Sequence, residues 1–120
     1  MVAFILGCFY LLNALIYIWL LKDGFNVLGF IYNSKNRNFL LLYDLPFIAL
    51  AILAMIEQMH WLFFILFLMH SLNSVTLLFK PSLFYQTKND IQNLDETTLV
   101  NYMVMMSVVA GLGCIFLSYL

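Results

Sequence analysis

Charge is what this sequence has least of. Of its 120 residues 9% are charged and 65% are hydrophobic. Disorder needs the opposite balance, and a soluble domain of this length cannot enclose so much apolar surface. The net charge of −1 excludes the basic footprint by which proteins hold nucleic acid. Cysteine is limited to Cys8 and Cys114, too few for a disulfide framework or a structural zinc site. No phosphate-binding Walker loop, no His pair spaced for metal or haem and no nucleophile elbow occurs, so nothing resembles a self-contained active site. Small residues are scarce as well, with five glycines and six alanines. Membrane helices use small residues where they touch, so Ala3-x-x-x-Gly7 and Ser107-x-x-x-Gly111 are the candidate points of close approach. The scarcity follows codon composition. Phe, Tyr, Met, Ile, Asn and Lys, with AT-rich codons, supply 49 residues, and Gly, Ala, Arg and Pro supply 14. An AT-rich genome would produce this, as in many mitochondria or in AT-rich bacteria and phages.

What the sequence does have is long apolar runs. About 20 apolar residues suffice to cross a bilayer. Residues 2–21, 39–56, 59–79 and 99–120 meet or approach that length, which predicts one all-α membrane domain over residues 1–120 with about four transmembrane helices. The first run lacks the basic flank of a signal peptide and is longer than its apolar region, so it is expected to stay as a helix. It stops at Lys22-Asp23-Gly24, and the last run is entered through Asp95-Glu96-Thr97-Thr98, types suited to a helix start. Residues 25–32 fit either an interfacial segment or an inner extension of the first helix. Asn33 to Asn38 is expected as a polar turn, and Lys80 to Thr98 as a loop polar enough for water. With four spans, Lys22, Lys35, Arg37, Lys80 and Lys88 all fall in the first and third connections. The positive-inside rule then places both termini outside and those connections inside.

Ionisable groups at membrane depth call for a partner or a role. Asp44 lies in the second span. His70, Asn73, Ser74 and Leu77 share one face of the third. A tight turn joins these two spans, so they are expected to be antiparallel neighbours, with Asp44 meeting His70 and Asn73 at similar depth. Such an acid and imidazole are candidates for proton transfer. A second reading makes Asp44 the N-cap of a helix that starts at Leu45, with Pro46 in its first turn. His70 and Asn13 also fit interhelical hydrogen bonding. Glu57 and His60 sit at the outer interface and are assigned no chemistry, and Trp19 and Trp61 fit interfacial belts. Cys8 and Cys114 lie at matching depth and would face each other only if the first and last helices pack with those faces together; two unlinked apolar cysteines are the alternative.

The run Leu28-Gly29-Phe30-Ile31-Tyr32, the turn 33–38 and Phe39-Leu40-Leu41-Leu42-Tyr43-Asp44 together resemble subunit 4L of respiratory complex I, the NuoK type. In that family a Leu-Gly pair closes one helix, and a Leu-rich helix follows with a glutamate near its start, at the position of Asp44. The resemblance covers about a quarter of the chain. Family members usually have three helices, so three spans here are family-like and the C-terminal one is additional. Lys22-Asp23 falls inside the family's first helix, the second link is shorter, and the family's second membrane glutamate is replaced at best by His70 or Asn73. The resemblance implies a subunit of proton-translocating NADH:ubiquinone oxidoreductase in the mitochondrial inner membrane, with the basic loops on the matrix side. It implies other membrane subunits and lipids as partners, and no cofactor on this chain. NADH, FMN, iron–sulfur clusters and ubiquinone would belong to the complex, and Asp44, His70 and Asn73 would form part of a buried proton-transfer axis. The rival readings are a structural accessory subunit without a proton role, a small four-helix transporter, or a pore. The small multidrug resistance family has a comparable size, but it depends on a glutamate in the first span, and residues 2–21 contain no acid.

Overall fold

The computed structural model describes residues 1–91 and 95–120, and all of its regular structure is helical. In chain order it forms α1 (Val2–Lys22), α2 (Val27–Ile31), a 3₁₀ turn (Ser34–Asn36), α3 (Arg37–Glu57), α4 (Trp61–Phe79), α5 (Pro81–Ile91) and α6 (Glu96–Ser118). Among the described residues four segments are long and apolar enough to cross a membrane: Val2–Lys22, Ser34–Glu57, Trp61–Phe79 and Thr97–Ser118. Leu12, Leu15, Leu42, Leu45, Phe64, Leu72, Val109 and Leu112 stand exposed along them. So much continuous exposed apolar surface is compatible with a multi-pass membrane protein and not with one surrounded by water.

Each long helix buries a narrow stripe. On α1 it is Ala3, Leu6, Gly7, Tyr10, Asn13 and Ala14; on α3 it is Asp44, Phe47, Ala51 and Ala54. Phe63, Leu66 and Leu77 are buried on α4, and Val100, Ser107, Gly111, Cys114 and Leu117 on α6. The scarce small residues are concentrated in these stripes. In lipid no hydrophobic force drives helices together, so close packing and interhelical hydrogen bonds must hold them.

The helices pair in the order α4–α3–α1–α6. The most extensive packing is α1 against α6, and α4 touches α6 only sparsely. Gly7 and Gly111 set the α1–α6 distance. A Cβ at Gly7 would lie 2.7 Å from the Gly111 carbonyl oxygen, and one at Gly111 would lie 2.9 Å from that of Gly7. Both expected points of close approach therefore belong to one interface. Cys8 and Cys114 do not meet across it. Cys114 is buried in the core, and Cys8 is exposed on another face of α1, so both are free thiols.

The helix ends have local causes. At the end of α1 the Gly24 N–H bonds to the Leu21 carbonyl at 3.1 Å and the Phe25 N–H to the Leu20 carbonyl at 3.0 Å. This six-to-one, five-to-two pattern needs a left-handed residue after the cap, and Gly24 supplies it at φ 78°. Residues 25–32 are partly helical: Asn26 caps α2 by accepting from the Gly29 N–H at 2.9 Å. His60, left without a role by sequence reasoning, caps α4, its Nδ1 accepting from the Leu62 N–H at 3.1 Å.

One of the two open readings of Asp44 and one expectation are corrected. The second helix does not begin at Leu45, and the span 39–56 lies within it. It starts at Arg37, behind Asn36, and runs through Asp44 and Pro46 to Glu57. Asp44 is therefore interior to α3, not its cap. The sequence signal misled because Asp-Leu-Pro is a good helix start in water. Inside a bundle, Pro46 removes only the bond to the Leu42 carbonyl, a loss that packed membrane helices tolerate. The second correction concerns the expected polar loop 80–98, which contains α5, a helix with Pro81 at its first position. The Phe84 ring of α5 lies 5.3 Å from that of Tyr32. The part of that loop at residues 92–94 lies outside the described residues.

Candidate functional site

The turn between α3 and α4 is three residues long, which forces the two helices into an antiparallel hairpin. Arg37 fixes its register at the other end. Its Nε donates to the Leu77 carbonyl at 2.8 Å and its Nη2 to the Leu78 carbonyl at 3.0 Å. These carbonyls belong to the last turn of α4 and have no partner within the helix, and the fork of a guanidinium suits two of them at once.

With both ends fixed, Asp44 comes level with His70 and Asn73. Asp44 is 7% exposed, and its carboxylate has three partners on α4. Its Oδ1 lies 3.0 Å from His70 Nδ1, and its Oδ2 accepts from Asn73 Nδ2 at 2.7 Å and from Ser74 Oγ at 3.4 Å. The sequence-predicted trio is thus one cluster, with Ser74 of the same α4 face beside it. A fifth member was not anticipated. The Tyr10 hydroxyl lies 2.7 Å from His70 Nε2, so α1 joins the network. The Phe47 ring stacks against the imidazole at 5.0 Å and 13°, and lies 4.8 Å from the Tyr10 ring, which walls the cluster in aromatic carbon.

The partners set the proton positions. A carboxylate facing Nδ1 favours the tautomer with the hydrogen there, which leaves Nε2 to accept from the Tyr10 hydroxyl. The resulting chain is Tyr10 O–H to His70 Nε2, His70 Nδ1–H to Asp44, with Asn73 and Ser74 holding the second carboxylate oxygen. An imidazole placed this way can take a proton at Nε2 while releasing one from Nδ1 to the acid. The cluster is polar at mid-helix, since His70 lies nine residues from each end of α4. Beyond Tyr10, away from the basic end, the space is filled by Ala3, Leu6, Ala51, Phe63, Leu66 and Cys114.

A second polar network lies one helical turn away. The Tyr43 hydroxyl donates to Asn13 Oδ1, and Asn13 Nδ2 donates to Ser107 Oγ at 2.9 Å. It ties α3, α1 and α6 together, the interhelical glue expected of Asn13. Neither Tyr10 nor Ser107 carried a sequence signal for these roles, because each depends on which helix faces α1. Among the described residues no three His, Cys, Asp or Glu side chains are grouped to hold a metal ion. Glu57 stays outside both networks and accepts from the Met1 ammonium at 2.7 Å.

Between α4 and α6, above α1, the sparse packing leaves a lateral cleft of about 410 Å³. Tyr10 and His70 reach it from the first network and Asn13 and Ser107 from the second, and the rest of the lining includes Tyr17, Leu66, Met69, Met103, Met105 and Met106. The chain matches no protein-family model, no curated protein and no solved structure.

Proposed function

We propose that this chain is a proton-transfer subunit of a larger membrane assembly, with Asp44 as the protonatable link and His70 and Tyr10 as the relay. The observation that carries the reading is the Asp44–His70–Tyr10 chain at mid-helix, with distances of 3.0 and 2.7 Å. Structural hydrogen bonding needs no acid at that depth, where an ionised side chain is expensive. The relay is closed by apolar packing beyond Tyr10 and reaches the lateral cleft through His70 and Tyr10. That geometry favours sideways exchange with a neighbouring subunit over a pore straight through this chain.

The assembly we assign is the membrane arm of a proton-translocating NADH:ubiquinone oxidoreductase, on the resemblance of residues 28–44 to subunit 4L. In that setting the chain lies in the mitochondrial inner membrane with its basic connections on the matrix side. NADH, FMN, iron–sulfur clusters and ubiquinone are then bound by other subunits, and Asn73 holds the Asp44 carboxylate in place.

The test is Asp44→Asn in native membranes. The expected result is that the variant still migrates with the band active for NADH dehydrogenase on a native gel, yet proton pumping falls at least tenfold. Asp44→Glu is expected to keep part of the activity. Unchanged pumping in a fully assembled Asp44→Asn complex would refute the proton role, and migration as a small homo-oligomer would refute the assembly. The Tyr43–Asn13–Ser107 network favours a second reading, a purely structural subunit. In that case Asp44→Asn and Asn13→Leu would reduce assembly alike, with pumping falling only in proportion.

A further inference from the structure

The wall of the lateral cleft contains two hydrogen-bond donors that no described residue receives. Ser107 is 8% exposed and Asn13 9%, and both line the cleft. Ser107 Oγ accepts from Asn13 Nδ2. Its own O–H donates to no described residue, whereas the hydroxyls of Thr76 and Ser118 return to carbonyls of their own helices, Leu72 and Ile115. Asn13 Nδ2 carries two hydrogens, and one goes to Ser107. The other has no acceptor among the described residues. A donor left unsatisfied at membrane depth is costly, and the hydrocarbon around the bundle offers no acceptor.

We infer that the cleft is a binding site for an apolar molecule with a carbonyl oxygen, which Ser107 and Asn13 receive. Two donors side by side match the two lone pairs of one carbonyl. The cleft's remaining lining is mainly apolar and includes Met69, Met103, Met105 and Met106, whose unbranched side chains adapt to an irregular ligand. A volume of about 410 Å³ suits a molecule of two or three rings, and lies within the usual range for small-molecule sites. Depth narrows the source. Ser107 is eleven residues from each end of α6. That is about 16 Å at the helical rise, close to the middle of a bilayer core of about 30 Å. Ester carbonyls of phospholipids sit at the edge of that core. A carbonyl at the middle belongs to a freely diffusing apolar ketone, quinone or amide. This inference rests on the donors and the cleft, and not on the proton-transfer reading.

The test uses the full chain in lipid nanodiscs with tritiated benzophenone, an apolar ketone that inserts into nearby C–H bonds on irradiation. Saturable labelling is expected, mapped to residues 103–110 and Met69. Fluorenone should compete, and fluorene, which has the same shape without the carbonyl, should compete several-fold less well. Ser107→Ala should weaken fluorenone about fivefold to tenfold, the usual worth of one hydrogen bond, and leave fluorene unchanged. Ser107→Thr keeps the hydroxyl and should keep the preference. Leu112→Ala, on the exposed face of α6, controls for non-specific change. Replacing ester lipids with ether-linked ones separates the two sources. Unchanged competition supports a diffusing ligand, and tighter fluorenone binding shows a lipid ester carbonyl in the same site. The inference is overturned if labelling does not saturate, if fluorene competes as well as fluorenone, or if Ser107→Ala weakens both alike.

Discussion

Alanine at Gly7 is the sharpest test of how α1 and α6 meet. Its Cβ would lie 2.6 Å from Ile115 Cγ1, 2.7 Å from the Gly111 carbonyl oxygen and 3.1 Å from the Ile115 amide nitrogen. Ordinary contact begins at 3.4 Å. Two of the three neighbours are backbone atoms, so no side-chain rotation relieves the clash and the helices must part by about 0.7 Å. A gap of that size forfeits roughly a quarter to a half of the dispersion at each contact it opens. The Asn13–Ser107 bond, at 2.9 Å across the same interface, would lengthen with it. Overpacking of this kind costs about 1–3 kcal/mol. The other glycines supply the internal scale. A Cβ at Gly111 meets one backbone oxygen at 2.9 Å and otherwise only the Leu11 side chain, at 2.9 and 3.0 Å, so alanine there should cost less. A Cβ at Gly113 meets only the end of Leu62, at 3.1 Å, so its variant should stay within about 0.5 kcal/mol of the parent. Reversible unfolding of the full chain in mixed micelles, followed by far-UV circular dichroism, measures all three. If Gly7→Ala proves as stable as Gly113→Ala, α1 and α6 do not approach closely at Gly7 and the reasoning fails.

Two further predictions follow from single side chains. Arg37→Met removes both donors to the last turn of α4 and should destabilise the chain by about 1.5–3 kcal/mol, the range for charge-assisted hydrogen bonds; Arg37→Lys should recover only part of it, since an ammonium lacks the fork, and hydrogen exchange at the α4 end should quicken in both. A membrane-soluble maleimide should label Cys8, which is exposed, and spare the buried Cys114 until the bundle is unfolded; equal labelling of both in the folded state would place Cys114 outside the core.

The number of spans was readable from the sequence because hydropathy over some 20 residues is a local property. The end of α1 was readable too, since Gly24 meets a backbone need of its own turn. So was the meeting of Asp44 with His70 and Asn73. A three-residue link and a common helical rise leave antiparallel partners little choice of depth. Much of the rest depended on which faces turn toward each other. These helices are apolar all round, and no amphipathic stripe marks the buried side of α1 or α6. Tyr10 therefore looked no different from the interfacial tyrosines, and Ser107 lies 94 residues from the Asn13 it joins. Pro46 kept a helix start at Leu45 open as one reading, because local propensity assumes that a freed carbonyl meets water, whereas the packed bundle carries α3 through it. Beyond the small-residue pairs at Ala3/Gly7 and Ser107/Gly111, which marked part of the contact faces of α1 and α6, the tertiary structure selected the faces, because in lipid close packing and interhelical hydrogen bonds, not hydrophobic periodicity, decide which side of a helix is inside.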